Sequence, residues 1–386
     1  MYNTTNFVFM KKEYRIIISG GGTGGHIFPA LSIADAIKAK MPEAKILFVG
    51  ADNRMEMQRV PEAGYDIVGL PIAGFDRKNL LKNIKVVWKI LKSQRMARRI
   101  IKDFAPHAAV GVGGYASGPT LKMAASMGIP TLIQEQNSYA GVTNKILSKQ
   151  AKMICVAYDG MERFFPAEKI KFTGNPVRKN LLEMRANREV AMKAMKLDSN
   201  RKCVLIVGGS LGARSINEGI MASIGQIREN KDIQFIWQTG KLYFEEMKRR
   251  ADEAGKPENL TITDFVSNMG DALSVADLVV SRAGAGSISE FALLGKAVIL
   301  VPSPNVSEDH QTKNAMALVD KDAAIYVADA NVKEELIAKA VETVNDGAKI
   351  AQLEKNIVKM GKPNAASEIA DEVLLLAEAY MKNVKK

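Results

Sequence analysis

The feature that most constrains the fold of this chain is a unit that occurs twice: a short apolar strand, a glycine-rich loop and a helix. The first copy spans residues 15–38 around SGGGTGGHIFPA, and the second spans 202–225 around GGSLGARSIN. A strand that runs through a glycine loop into a helix opens the Rossmann type of nucleotide-binding fold. Two such starts predict two Rossmann-like domains with a cleft between them.

Short apolar runs rich in Val and Ile alternate with helical patterns along the chain. They lack strict polar–apolar alternation, so both of their faces are expected to be buried, as in parallel sheets covered by helices. This alternation predicts an α/β fold with two doubly wound domains. The predicted strands are 14–19, 45–50, 66–71, 108–112, 131–135, 153–157, 170–174, 202–208, 234–239, 260–265, 277–281, 297–302 and 324–328.

The boundary between the domains is expected near GNPVR at 174–178, where a glycine and a proline interrupt the pattern. This predicts a first domain at 14–177 and a second domain at 178–363. Residues 364–386 have a helical pattern and are expected to pack back on the first domain.

Composition sets the broad class of the protein. Hydrophobic residues make up 47% and no run of about 18 apolar residues exists, so a globular protein without a transmembrane helix is expected. The N-terminus does not have the pattern of a signal peptide. Cys155 and Cys203 lie in apolar strand-like runs and are expected to be buried thiols in a reducing cytosol.

The formal net charge of +12 suggests a polyanionic partner: nucleic acid, acidic lipid or a phosphorylated substrate. Much of the charge lies at 77–103, where Leu81, Ile84, Trp88 and Leu91 share a helical stripe beside a stripe of lysines. A basic amphipathic segment with a tryptophan suits an anionic membrane surface. The alternative is a helix that packs its apolar stripe on a sheet. Nucleic acid is not favoured, because no binding motif accompanies the charge.

Three glycine-rich loops follow strands and open helices, at 20–26, 111–119 and 208–217. In that context backbone amides and the helix dipole form an anion site, and glycine lets the backbone approach a phosphate. Glycine also serves any tight turn from a strand into a helix, so the set of three is stronger evidence for phosphate binding than one loop.

The first loop has the dinucleotide-binding spacing in Gly20, Gly22 and Gly25. A dinucleotide site also needs an acid at the end of the second strand, but that strand ends FVGAD, so Asp52 comes late and beyond a glycine. His26 follows this loop. A helix N-terminus lowers the pKa of a histidine and favours the neutral form that a general base needs. The alternative is that His26 only caps or packs.

Seven motifs, in order along the chain, resemble the MurG family, the peptidoglycan N-acetylglucosaminyltransferases that make lipid II from lipid I. They are GGTGGHIFPA (21–30), GVGGYASGP (111–119), QEQNSYAGVTNK (134–145), GNPVR (174–178), GGSLGA (208–213), SRAGAGSISE (281–290) and HQTKNA (310–315). The resemblance implies a GT-B glycosyltransferase architecture. It also implies inverting transfer of N-acetylglucosamine from UDP-N-acetylglucosamine to the 4-hydroxyl of the muramoyl sugar of lipid I.

The resemblance also implies roles for individual residues, and His26 is the expected general base. The chain departs from the family at position 310, where His310 is a second candidate for a titrating group in the cleft. Glu290 would accept hydrogen bonds from both ribose hydroxyls, since a carboxylate is an acceptor only. The implied UDP-N-acetylglucosamine contacts are Thr23, Gly24, Gly25, Asn137, Arg178, Ser210, Val266, Ala285, Gly286, Ser287, Ile288, Ser289, Glu290, Gln311 and Asn314. The implied acceptor contacts are Gly113, Gly114 and Tyr115.

The partners that the resemblance implies are UDP-N-acetylglucosamine, lipid I, an anionic membrane surface and a cell-wall synthesis complex. The expected location is peripheral, on the cytoplasmic face of the plasma membrane. Neither a cofactor nor a bound metal is expected, and the Asp–Lys–Asp stretch at 320–322 is interpreted as a solvated turn. The alternatives are a UDP-N-acetylglucosamine 2-epimerase, a glycolipid glycosyltransferase, an NAD-dependent oxidoreductase and a sensor without catalytic activity.

Overall fold

The computed structural model of this chain describes residues 13–72, 83–177, 187–209 and 211–384. In this part of the chain the strands form two sheets, in which every pairing is parallel. The α/β architecture of two doubly wound domains expected from the sequence is confirmed.

The first sheet has the strand order β3-β2-β1-β4-β5-β6-β7. Because the order reverses between β1 and β4, the loops that follow these two strands are neighbours at the carboxyl edge of the sheet. The strands are β1 (Arg15–Ser19), β2 (Lys45–Ala51), β3 (Asp66–Leu70), β4 (Ala108–Gly111), β5 (Thr131–Glu135), β6 (Met153–Val156) and β7 (Ile170–Phe172). The helices are α1 (Gly24–Lys40), α2 (Glu56–Glu62), α3 (Asn83–Phe104), α4 (Ser117–Ser126) and α5 (Val142–Leu147).

The second sheet has the order β10-β9-β8-β11-β12-β13, with its reversal between β8 and β11. The strands are β8 (Lys202–Val207), β9 (Ile233–Gln238), β10 (Leu260–Thr263), β11 (Leu278–Ser281), β12 (Val298–Leu300) and β13 (Ile325–Tyr326). The helices are α6 (Arg188–Ala194), α7 (Arg214–Ala222), α8 (Ile224–Glu229), α9 (Phe244–Glu253), α10 (Met269–Val275), α11 (Ala285–Leu294), α12 (His310–Val319), α13 (Val332–Asn345) and α14 (Gly347–Val358).

Strand β1 shows why the strands read as continuous apolar runs. Ile16, Ile17 and Ile18 are all fully buried, although successive side chains of a strand point to opposite faces of the sheet. Ile16 and Ile18 pack with residues of α1 on one face, and Ile17 packs with residues of α3 and α4 on the other. Both faces of this sheet are therefore covered by helices.

The last helix, α15 (Ala365–Val384), packs on α1 and β4 of the first domain. Two ion pairs tie it there: Lys171 contacts Glu372 at 2.7 Å, and Lys40 contacts Asp371 at 2.7 Å. The predicted domain boundary at 177/178 adjoins residues outside the described ranges, so its position stays a prediction.

Candidate active site

The first glycine loop is occupied by a carboxylate of the protein itself. Glu56, at the start of α2, is only 1% exposed. Its two oxygens accept hydrogen bonds from the backbone amides of Gly22 at 2.8 Å and Ala51 at 3.0 Å. A loop amide that could face a phosphate is thus already paired, and the adjacent negative charge repels an anion. This arrangement argues against a dinucleotide phosphate at this loop.

His26 lies in the first turn of α1, and its Nδ1 is 3.1 Å from the carbonyl oxygen of Gly21 and 3.3 Å from Thr23 Oγ1. A carbonyl oxygen only accepts, so Nδ1 of the neutral ring carries the proton and donates to Gly21. This leaves Nε2 unprotonated, with a lone pair that can take a proton. The loop backbone therefore selects the tautomer that a general base requires.

The pKa of His26 is lowered, as expected, but the main cause differs from the one inferred from the sequence. Burial is the largest influence and lowers the pKa, rather than the helix N-terminus. The hydrogen bond to Gly21 raises it, repulsion from His310 lowers it, and attraction to Glu56 raises it. The ring is neutral at pH 7 as a result.

The second glycine loop closes over His26. Gly113 has φ +93°, and a Cβ placed there would lie 2.9 Å from Nε2 of His26. Gly114 has φ +84°, and a Cβ there would lie 2.3 Å from the carbonyl oxygen of Gly21. Only glycine permits this backbone and this approach. Nε2 therefore faces the second loop, and Tyr115 is exposed at its edge.

The loop between β5 and α5 is held by the buried carboxylate of Glu135. This group accepts hydrogen bonds from the amide of Asn137 at 3.1 Å, the amide of Gly141 at 3.0 Å and the side chain of Asn144 at 2.8 Å. Gln136 Nε2 donates to the carbonyl of Val112 at 2.7 Å, next to the second glycine loop. Residues 136–144 are thus fixed against the loop that faces His26.

Side chains of the two domains meet across the cleft. The fully buried Asn314 on α12 accepts from the amide of Ser138 at 2.9 Å and donates to Asn137 Oδ1 at 3.1 Å. Asn175 Nδ2 donates to Ser289 Oγ on α11 at 3.0 Å. Asn137, Ser289 and Asn314, three of the predicted donor contacts, therefore join the domains in this structure.

A cavity of about 840 Å³ lies at the carboxyl edge of the second sheet, at the reversal between β8 and β11. The third glycine loop, Ser287, Ser303 and Gln311 line it. Arg282, also in its wall, donates to Asp329 at 2.5 Å and to Ser215 at 2.7 Å. This arginine ties the first turn of α7 and Asp329 to the loop that follows β11.

Gln238 at the end of β9 links the third glycine loop to the loop after β10. Its Nε2 donates to the carbonyl of Gly209 at 2.9 Å, and its Oε1 accepts from the amide of Val266 at 3.1 Å. The amide of Val266 is therefore already hydrogen-bonded, so a nucleotide base that contacts this backbone would meet the carbonyl of Val266.

Comparison with known proteins agrees with this geometry. Residues 16–156 match the Glycosyltransferase family 28 N-terminal domain, and residues 203–372 match the Glycosyltransferase family 28 C-terminal domain. A protein of Phocaeicola vulgatus named UDP-N-acetylglucosamine--N-acetylmuramyl-(pentapeptide) pyrophosphoryl-undecaprenol N-acetylglucosamine transferase is 64% identical over 97% of this chain and 99% of its own length. A protein of the same name from Bacteroides thetaiotaomicron is 62% identical over 96% of this chain and 100% of its own length. The crystal structure of Acinetobacter baumannii MurG superposes with a TM-score of 0.74 at 29% identity, over 94% of this chain and 99% of that one.

The chain belongs to the MurG family of glycosyltransferases.

Within this MurG-family fold, the predicted site residues fall on both walls of the cleft. Thr23, Gly24, Gly25, His26, Gly113 and Gly114 lie together at the carboxyl edge of the first sheet. Ala285 to Glu290 form the first turns of α11, and Gln311 and Asn314 lie in the first two turns of α12. Gln311 accepts from the amide of Ser303 at 2.9 Å. Arg178 and Ser210 lie outside the described residues, and the ligand contacts of the whole set stay predictions.

Three residues that position the site carried no role in the sequence argument. Glu56 comes 34 residues after Gly22, from whose amide it accepts a hydrogen bond, and no sequence motif indicates that contact. Gln238 ends an apolar strand, and a polar amide side chain at that position is the one sequence feature that could have identified it. Arg282 stands inside the motif SRAGAGSISE, whose order along the chain could have drawn attention to it.

The basic segment 77–103 exposes part of its apolar stripe. Trp88 is 68% exposed and Leu91 is 43% exposed, whereas Ser93, Ala97 and Ile101 form the buried face of α3. The alternative in which Trp88 and Leu91 pack on the sheet is therefore wrong for these two residues. Leu81 lies outside the described residues, and Ile84 is described only through its backbone.

Two further expectations concern metals and membrane spans. Among the residues that the structure describes, no three His, Cys, Asp or Glu side chains are grouped to hold a metal ion, and the 320–322 stretch is exposed at the end of α12. The metal-free reaction stays a prediction. No helix in the described ranges has the length and apolarity to cross a membrane.

Proposed function

We propose that this protein transfers N-acetylglucosamine from UDP-N-acetylglucosamine to the 4-hydroxyl of the muramoyl sugar of lipid I, with inversion, giving lipid II and UDP. The observation that carries this proposal is the unprotonated Nε2 of His26, which faces the second glycine loop of the first domain. Membership of the MurG family supports the identity of both substrates.

The proposed chemistry is a single in-line displacement. The acceptor hydroxyl oxygen forms a bond to the anomeric carbon while its proton moves to Nε2 of His26. The bond from the anomeric carbon to the diphosphate breaks, and its electron pair leaves with UDP. A positioned general base contributes about 10²- to 10⁴-fold to such a step.

The donor is proposed to lie along the C-terminal wall. The third glycine loop and the N-terminus of α7 would face its diphosphate, where negative charge develops as UDP leaves. Glu290 would accept from the ribose hydroxyls, and the carbonyl of Val266 would contact the base. Phosphate contacts by Ser210 and Arg178 rest on the sequence motifs alone.

The acceptor wall is proposed to dock on the anionic cytoplasmic face of the plasma membrane. Trp88 and Leu91 present apolar surface on α3, and Lys89, Lys92 and Arg95 are exposed around them. Lysine or arginine near an anionic surface is worth about 1 kcal/mol each, and an interfacial tryptophan adds apolar burial. A peripheral location would bring His26 to a lipid-linked acceptor. Membership of a cell-wall synthesis complex stays a prediction.

The test is UDP release from UDP-N-acetylglucosamine with and without a lipid I analogue, together with analysis of the sugar product. The proposal predicts release that depends on the acceptor and a β-linked disaccharide product. Formation of N-acetylmannosamine without acceptor would establish the epimerase instead. Thermal stabilisation by NAD but not by the UDP-sugar would establish the oxidoreductase. Loss of activity in EDTA that is restored by a divalent cation would refute the metal-free reaction.

A further inference from the structure

Two short segments, one from each domain, contact each other at consecutive residues. Besides the hydrogen bonds of Asn314 with Asn137 and Ser138, the Nζ atom of Lys313 lies 3.3 Å from the centroid of the Tyr139 ring. A lysine ammonium within about 6 Å of an aromatic centroid is attracted to the negative face of the ring. We name the contact of Lys313 with Tyr139 the latch.

Each side of the latch is held within its own domain. Lys313 Nζ also donates to the carbonyl of Glu308 at 2.7 Å, which directs the ammonium. The Tyr139 ring packs edge-on against Phe164, with centroids 4.7 Å apart. Both partners thus also make contacts within their own domains, and these contacts limit the conformational entropy lost when the latch forms.

The latch also connects the two substrate walls. On α12, Gln311 faces the C-terminal cavity one turn before Asn314. On the other side, Gln136 directly precedes the Asn137–Tyr139 segment and holds Val112, next to the glycine that faces His26. A continuous set of contacts therefore runs from the donor cavity to the general base.

We propose that Tyr139 and Lys313 are positioning residues that hold α12 against the β5–α5 loop, so that the donor wall and the base wall are aligned for transfer. The pair contacts neither reacting atom, and its effect passes through Gln311 and Gln136. This inference rests on the proposed function for its kinetic test, and on the domain arrangement for its structural test.

The kinetic test compares Lys313→Met, Tyr139→Leu and the double variant in kcat/KM for a lipid I analogue. A contact of this type predicts a loss of about 3- to 30-fold in each single variant. The double variant should lose no more than the larger single loss, because the pair acts as a unit. The dissociation constant of UDP-N-acetylglucosamine, measured without acceptor, should stay within about twofold. Losses that multiply in the double variant would overturn the proposal.

Two matched variants separate the latch from general damage to the ring. Lys145 Nζ lies 4.8 Å from the same Tyr139 centroid but belongs to the same domain, so Lys145→Met should keep kcat/KM within about twofold of wild type. Tyr139→Phe retains the ring face and should retain activity. A loss in Lys145→Met equal to that in Lys313→Met would overturn the proposal, as would loss of activity in Tyr139→Phe.

A structural readout does not depend on turnover. Spin labels at the exposed positions Lys122→Cys and Glu258→Cys would report the distance between the domains, since Cys155 and Cys203 are buried and resist labelling. The latch predicts one narrow distance distribution that broadens in Lys313→Met and Tyr139→Leu but not in Lys145→Met. Unchanged distributions in both latch variants refute the latch. Absence of acceptor-dependent UDP release in the wild type refutes the proposed function and leaves this readout intact.

Discussion

Glu56→Gln tests whether the first glycine loop is held by an internal carboxylate rather than kept free for a phosphate. The side chain is 1% exposed and accepts two backbone hydrogen bonds, at 2.8 and 3.0 Å. Hydrogen bonds to a charged group are worth about 1.5–3 kcal/mol each. Glutamine has one acceptor oxygen, and its NH2 group would face the second amide. The free energy of unfolding should therefore fall by about 2–4 kcal/mol.

The assay is urea unfolding followed by circular dichroism, with Glu62→Gln as the matched control. Glu62 lies on the same helix, is exposed and pairs with Arg59 at 2.9 Å, so its loss should change the free energy of unfolding by less than about 1 kcal/mol. Because two domains can unfold separately, the comparison applies to the unfolding transition of the first domain, which contains both residues. Equal midpoints for the two variants would refute the view that Glu56 organises this loop.

Three further predictions follow from single contacts. Gly114→Ala should lose more stability and activity than Gly128→Ala. Both positions have positive φ, +84° and +78°, but a Cβ at 114 would clash with the carbonyl oxygen of Gly21, whereas a Cβ at 128 lies in open space and bears only about 1 kcal/mol of backbone strain. Equal losses would contradict close packing of the two glycine loops. His310→Gln removes the group whose repulsion lowers the pKa of His26. The acid limb of the kcat/KM profile should therefore move to higher pH, because His26 must be neutral to accept a proton. A downward shift would contradict this electrostatic coupling. Trp88→Ser should weaken sedimentation of the protein with phosphatidylglycerol vesicles. The control Val190→Ser, which removes a 64% exposed side chain from the other domain, should not weaken it. Equal sedimentation of the two variants would contradict membrane docking through α3.

The sequence predicted the fold well because its signal is local. Every predicted strand is present, since runs such as that around Ile17 need helices on both faces. Strand ends were less accurate: the run at 170–174 forms a strand only at Ile170–Phe172, and Gly174 leaves it with φ +85°.

The candidate site was predictable in its members but not in its contacts. The glycine loops and His26 stand out as motifs, whereas the carboxylate of Glu56 reaches Gly22 only through the packing of α2 on the first sheet. Amphipathic spacing in α3 could not indicate which face is buried: Ser93 and Ala97 are buried, while Trp88 is exposed. The engagement of Asn314 with both Asn137 and Ser138 depends on how two domains meet, which no local pattern encodes.

The most direct test of the central claim is the turnover of His26→Ala measured beside its affinity for UDP-N-acetylglucosamine. If Nε2 of His26 takes the acceptor proton, kcat should fall by about two to four orders of magnitude while the dissociation constant of the donor changes little. An unchanged kcat, in a variant that still binds the donor with wild-type affinity, would contradict the account by removing His26 from the chemistry.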